Sequence, residues 1–92
     1  MDLPETEKFI VLGIMPNGRK FRPSDWAERM CGTLSTFRNR RIYYSPLLRP
    51  AVIEGIKAIV VDRNLEEKHP KVFAEVLAFA EKNQLALSPL NA

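Results

Sequence analysis

Side chains suited to binding an anion are concentrated between Cys31 and Pro50. This stretch, CGTLSTFRNRRIYYSPLLRP, holds four arginines and two tyrosines but no carboxylate. Guanidinium groups bind phosphate through paired hydrogen bonds, and tyrosine rings can stack on bases. The candidate binding residues are therefore Arg38, Arg40, Arg41, Tyr43, Tyr44 and Arg49. Because side chains alternate along a strand, we expect the two tyrosines to face opposite sides, with one of them in the core.

The same residues also fit a simpler interpretation, a solvated basic edge whose charges discourage aggregation. No RNP-like, GXXG or helix-turn-helix signature accompanies the arginines. An exposed edge strand with aromatic neighbours can instead pair with a partner protein or with a second copy of the chain. The sequence thus predicts a non-enzymatic binding or regulatory module that acts through this basic-aromatic edge. RNA or DNA binding by the same surface is the alternative.

Catalytic chemistry has few candidate residues in this chain. Cys31 and His69 are the only thiol and the only imidazole. They would have to form a nucleophile pair, yet no third group that would orient the imidazole is evident. A lone cysteine beside an apolar stripe is by default a small buried hydrophobe. No glycine-rich phosphate loop and no set of spaced metal ligands is present. We expect no catalytic residues, no cofactor and no metal.

The distribution of charge is more informative than its total. The 92 residues carry a net charge of +3, but residues 16 to 53 hold eight basic and two acidic side chains, a net charge of +6. We expect this charge to converge on one solvent-facing surface. There is no apolar run long enough to span a membrane, and the acidic amino end lacks the apolar segment of a secretory signal. With a single cysteine, these features predict a cytoplasmic protein without a membrane partner.

The first half of the chain predicts a strand, a turn and a helix. Residues 8–15 form a compact apolar run typical of a buried strand, and Asn17-Gly18 suits a type I′ turn into a short second strand at 19–21. Residues 24–37 predict a helix with Ser24 as its N-cap. Its apolar stripe comprises Trp26, Met30, Leu34 and Phe37.

The second half allows two strand orders. A turn at Glu54-Gly55 would place Ile53 opposite Ile56 and Arg49 opposite Val60, whereas a rival interpretation keeps residues 52–62 as one strand. A second helix begins at Pro70, which fits the first helical position. A last strand at LALS would give a ferredoxin-like order in place of hairpin-helix-hairpin-helix.

These elements predict one α+β domain over residues 8–88, with tails at 1–7 and 89–92. The expected architecture is a two-layer sandwich, in which two helices pack on one face of a mostly antiparallel sheet of about four strands.

Three blocks of the sequence carry a resemblance to a known family: GRKFRPSDWAERMCG, YYSPLLRP and GIKAIVVD. Together they resemble an uncharacterised proteobacterial family, the domain-of-unknown-function family 3579, over roughly residues 9–84. The resemblance implies a stand-alone bacterial protein of about this length. It implies no activity and no site residues, so the candidate site depends on the residues alone.

Overall fold

The computed structural model describes residues 7–22 and 25–90. Residues 1–6 and 91–92 of the expected tails lie outside this part of the chain, as does the expected N-cap Ser24. The described elements, in order, are β1 Lys8–Leu12, α1 Trp26–Cys31, β2 Thr36–Arg38, β3 Arg41–Tyr43, β4 Leu48–Ile53, β5 Ile56–Asp62, α2 Asn64–Lys68, α3 Pro70–Lys82 and β6 Ala86–Pro89.

The protein has the predicted α+β fold, built on a four-stranded antiparallel sheet with the order β4-β5-β1-β6. This is the ferredoxin-like order, which the sequence analysis gave as its alternative, so the expected hairpin-helix-hairpin-helix plan is wrong. The short strand expected at residues 19–21 is reduced to one bridge between Ile14 and Lys20. The amide of Gly18 donates to the Met15 carbonyl at 2.8 Å, and only the glycine of the Asn17-Gly18 pair has a positive φ. The turn is therefore not type I′.

The second hairpin is confirmed residue by residue. Ile53 pairs with Ile56 and Arg49 with Val60. The two residues of the turn, Glu54 and Gly55, have φ of 51° and 79°, as a tight hairpin turn requires. The rival prediction of an unbroken strand over residues 52–62 is wrong.

The buried core joins one face of this sheet to the helices. Alternate residues of the paired central strands β1 and β5 enter one cluster with side chains of α1 and α3. Its main members are Phe9, Val11, Ile59, Val61, Trp26, Cys31, Phe73 and Val76. The Trp26 ring lies against Phe21 and Phe79, with both pairs of ring centroids 5.8 Å apart. These contacts anchor the start of α1 to α3 and to the loop that follows β1.

The first helix is shorter than the sequence predicts. It ends at Cys31, and one 3₁₀ turn over Gly32–Leu34 follows it. Glycine, serine and threonine are weak helix formers, and the Ser35 hydroxyl donates to the Gly32 carbonyl at 2.8 Å, which favours ending the helix there. Phe37, expected on the helix stripe, instead lies in β2. Two helices were expected, whereas the described residues contain three, because the short α2 precedes α3.

Helix α3 begins at Pro70 as predicted and ends in a Schellman motif. The amide of Leu85 donates to the Ala80 carbonyl at 2.9 Å, and that of Gln84 donates to the Glu81 carbonyl at 3.1 Å. Gln84, with a φ of 55°, takes the left-handed position that usually holds glycine. The motif turns the chain into β6.

Candidate binding surface on a basic hairpin

Strands β2 and β3 form a separate two-stranded sheet that carries most of the candidate residues. We call residues 36–43 the hairpin arm. All six of its strand residues are exposed, and none belongs to the buried core. With no residue in the core, the arm receives little support from the rest of the fold, and a two-stranded hairpin on its own is only marginally stable in water.

The register of the arm gives it two different faces. Phe37 pairs with Ile42, and these apolar side chains are 70% and 56% exposed. The neighbouring pairs, Arg38 with Arg41 and Thr36 with Tyr43, point to the opposite side because side chains alternate across a strand. The arm therefore has an apolar face and a basic face.

The basic face is not neutralised by the described part of the chain. No described carboxylate pairs with its arginines, and the ion pairs Arg29–Asp25 and Lys57–Glu28 involve neither of them. Arg38 and Arg41 lie directly opposite each other, and like charges in that position are destabilising. The Arg38 guanidinium carbon lies 5.3 Å from the centre of the Tyr43 ring, a cation-π contact that holds one of the arginines over the aromatic side chain.

The tip of the arm is a two-residue turn with an unusual second residue. Asn39 and Arg40 have φ of 50° and 62°, the left-handed conformation at both positions of a type I′ turn. Asparagine tolerates this conformation, but the second position is normally glycine. Arg40 is thus held at the tip at a conformational cost of about 1 kcal/mol or more.

The six predicted site residues are only partly brought together. Arg38, Arg41 and Tyr43 share one face, and Arg40 is at the tip. Tyr44 packs against the core, and Arg49 lies exposed on β4, in the other sheet.

The apolar pair of the arm was not predicted as part of the site. The signal for it is the sequence TFRNRRIY, in which Asn39 separates two alternating segments rich in β-formers.

Six of the eight basic side chains of residues 16–53 fall in two groups of three. The first is the arm, which leads into the start of β4, and there Leu48 pairs with Val61, next to the last residue of β5. The second cluster lies on the loop that follows β1 and holds Arg19, Lys20 and Arg22. This loop adjoins the other end of β5, where the amide of Gly13 donates to the Lys57 carbonyl at 2.8 Å.

The two residues considered for nucleophilic catalysis lie in different environments. Cys31 is fully buried, and that burial, with a smaller contribution from Glu28, raises the pKa of its thiol to about 12. The thiolate is therefore scarce at neutral pH. His69 is exposed at the start of α3, and no hydrogen bond joins it to Cys31.

Two further features of the described residues bear on the class of protein. None of the helices there has the length and apolar character needed to cross a bilayer. Over the same residues, no three histidine, cysteine or acidic side chains come together as a group that could hold a metal ion.

Comparisons with known proteins identify a family but no activity. Residues 5–89 match the model of a family described as "Protein of unknown function (DUF3579)". A solution structure described as the first structural representative of its family is similar to this chain, with 38% identity and a TM-score of 0.79. The alignment covers 96% of this chain and 82% of the other. A search of curated proteins finds no significant match.

Proposed function

The chain belongs to the DUF3579 family of proteins of unknown function, so its membership assigns no activity, and we propose that it is a non-enzymatic binding module whose contact surface is the hairpin arm. The observation that carries this proposal is the exposure of all six strand residues of the arm, with two large apolar side chains on one face and unpaired arginines on the other. Exposed apolar side chains and opposed arginines both lower stability, and proteins retain features of this kind mainly at functional sites.

The edges of the four-stranded sheet support the choice of the arm over the sheet. Its outer strands are β4 and β6, which contain Pro50 and Pro89 respectively. A proline has no amide proton to donate, and prolines in edge strands discourage the addition of another strand. A protein partner, or a second copy of the chain, therefore finds its best contact at Phe37 and Ile42, with the arginines selecting an acidic surface.

Nucleic acid is the second candidate partner, and the basic face of the arm favours it. Neither Arg38 nor Arg41 pairs with a described carboxylate, so both can bind phosphates, and a base can stack on the face of the exposed Tyr43 ring that Arg38 leaves open. Both candidates fit a cytoplasmic protein, which stays part of this proposal.

Two double variants separate these candidates. Phe37→Ser with Ile42→Ser removes the apolar face, and Arg38→Gln with Arg41→Gln removes the basic face. A matched control, Lys71→Gln with Lys82→Gln, removes the same charge from exposed positions on α3.

Nucleic-acid binding is measured by fluorescence anisotropy with mixed-sequence oligonucleotides at about 50 mM salt and above. The basic-face variant should reduce the slope of log K against log salt by about 0.7–0.9 for each arginine that contacts a phosphate. The control variant should leave the slope unchanged. An absence of binding by the wild-type chain at the lowest salt would eliminate nucleic acid as the partner.

Self-association is measured by sedimentation equilibrium at micromolar concentrations. A dimer that is lost in the apolar-face variant and retained in the control would identify a second copy as the partner. A wild-type monomer that neither binds oligonucleotides nor captures any protein through Phe37 and Ile42 would refute the arm as a contact surface. Capture is tested with the apolar-face variant as the reference.

A further inference from the structure

The second basic cluster forms two adjoining pockets at the other end of β5. The first has a volume of about 210 Å³ and is lined by Gly13, Lys20, Phe21, Arg22, Gly55 and Lys57. The second has a volume of about 440 Å³ and is lined by Met15, Arg19, Lys20 and Arg22. Two cationic residues line both pockets, and among the residues that the structure describes no carboxylate and no member of the hairpin arm lines either one.

The loop that carries these cations is fixed by backbone hydrogen bonds. The amide of Phe21 donates to the Gly13 carbonyl at 2.8 Å, and the amide of Met15 donates to the Arg19 carbonyl at 2.9 Å. The ring of Phe21 packs against Phe79, with centroids 5.6 Å apart. The pockets therefore lie on a defined backbone and do not depend on a freely moving loop.

The charges of the pockets are mostly uncompensated. Within the described residues, Arg19, Lys20 and Arg22 take part in no ion pair. Lys57 is paired with Glu28, whose carboxylate oxygen lies 2.6 Å from its ammonium nitrogen, so it is held in place at the first pocket. That hydrogen bond also keeps the pKa of Glu28 below its ordinary value, so its carboxylate stays charged at neutral pH.

The geometry points to a binding site for a small ligand that carries at least two linked phosphate groups. Concave surfaces lined by one sign of charge focus the field and attract counter-ions, and arginine binds phosphate through paired hydrogen bonds. Two pockets that share Lys20 and Arg22 can each hold one phosphate group of the same molecule. A single phosphate would use only part of this arrangement, so the site should prefer a diphosphate.

Inorganic pyrophosphate is the probe, with orthophosphate and sulfate as comparisons. The amide signals of Gly13, Lys20 and Gly55 are followed in two-dimensional ¹⁵N–¹H spectra during each titration. Pyrophosphate should shift these signals in a saturable way and bind at least about tenfold more tightly than orthophosphate, because it engages both pockets.

The variant Lys20→Gln with Arg22→Gln removes the cations that the pockets share. It should weaken pyrophosphate binding by about tenfold or more, while its melting temperature stays near that of the wild type because both side chains are exposed. The arm variant Arg38→Gln with Arg41→Gln removes the same charge and should bind pyrophosphate normally.

Three results would overturn the inference: no saturable shift with pyrophosphate, equal affinity for pyrophosphate and orthophosphate, or equal weakening in both double variants. Because the arm variant is the control, failure of this site and failure of the proposed arm function are distinguishable.

Discussion

Replacing Gly13 with alanine tests the packing that joins α1 to the sheet. An ideal Cβ at this position would lie 2.8 Å from the Lys57 carbonyl oxygen and 2.8 Å from both Cζ2 and Nε1 of Trp26. One neighbour is the backbone of β5, and the other is a buried ring held by Phe21 and Phe79. Neither can withdraw without displacing other core groups.

The expected loss of stability is large for a single methyl group. Overpacking a well-filled core costs about 1–3 kcal/mol, and the rigid neighbours place Gly13→Ala in the upper part of that range, at about 2–3 kcal/mol. A domain of this size changes its melting temperature by about 4–8 °C per kcal/mol, so the variant should melt roughly 8–24 °C below the wild type.

Urea unfolding measures this loss directly. Trp26 is the only tryptophan, so its fluorescence reports on the disturbed contact, and circular dichroism reports on the whole fold. The control is Gly32→Ala, where an added Cβ meets nothing within 4 Å and the φ of −61° suits alanine. This control should be stabilised by about 0.4–1 kcal/mol. A free energy of unfolding for Gly13→Ala within about 0.5 kcal/mol of the wild type would refute the reasoning.

Three further predictions concern other parts of the fold. Gln84→Gly should raise the free energy of unfolding by about 0.5–1 kcal/mol in urea titrations, because it relieves a left-handed φ, whereas Gln84→Ala should leave it nearly unchanged. Lys57 lowers the pKa of Glu28 in the folded state, so this pair stabilises the protein above the ordinary value of 4.5 and the stabilisation disappears as the pH falls through the lowered pKa. As the pH falls, the free energy of unfolding should therefore decline less steeply for Glu28→Gln than for the wild type. The difference should be small, because both side chains of the pair are more than one third exposed. An identical decline in the two proteins would contradict the pairing. Cys31, with its pKa raised to about 12, should react with iodoacetamide only as fast as the protein unfolds, and rapid labelling of the native chain would show an accessible thiolate.

The elements that the sequence predicts correctly are those whose signals are local. Glu54-Gly55 lies between two apolar runs and determines the register of β4 and β5 by itself. Pro70 and the apolar face that follows it identify α3 in the same way. To predict the ferredoxin-like order, the sequence had only to show the last strand, β6, as well. That strand has four residues, and so short a run gives a weak pattern.

The elements that the sequence does not predict depend on tertiary context. Phe37 continues the spacing of Trp26 and Met30 by coincidence, so the stripe extends a helix that in fact ends at Cys31. From the sequence, the residues of the arm are therefore predicted to be the end of a helix and a basic loop after it. The type of side chain is enough to select Arg38 and Arg41, but only the pairing of the strands shows that they share a face with Tyr43.

The separation of the arm from the core has a consequence for how its sequence can vary. Its six strand residues contribute nothing to the buried interior, so the stability of the domain places little restriction on which amino acids occupy them. Natural or engineered variants of this segment should therefore fold normally over a wide range of chemistry. Under the proposed function, an amino acid that proves irreplaceable there would be one that the binding partner requires.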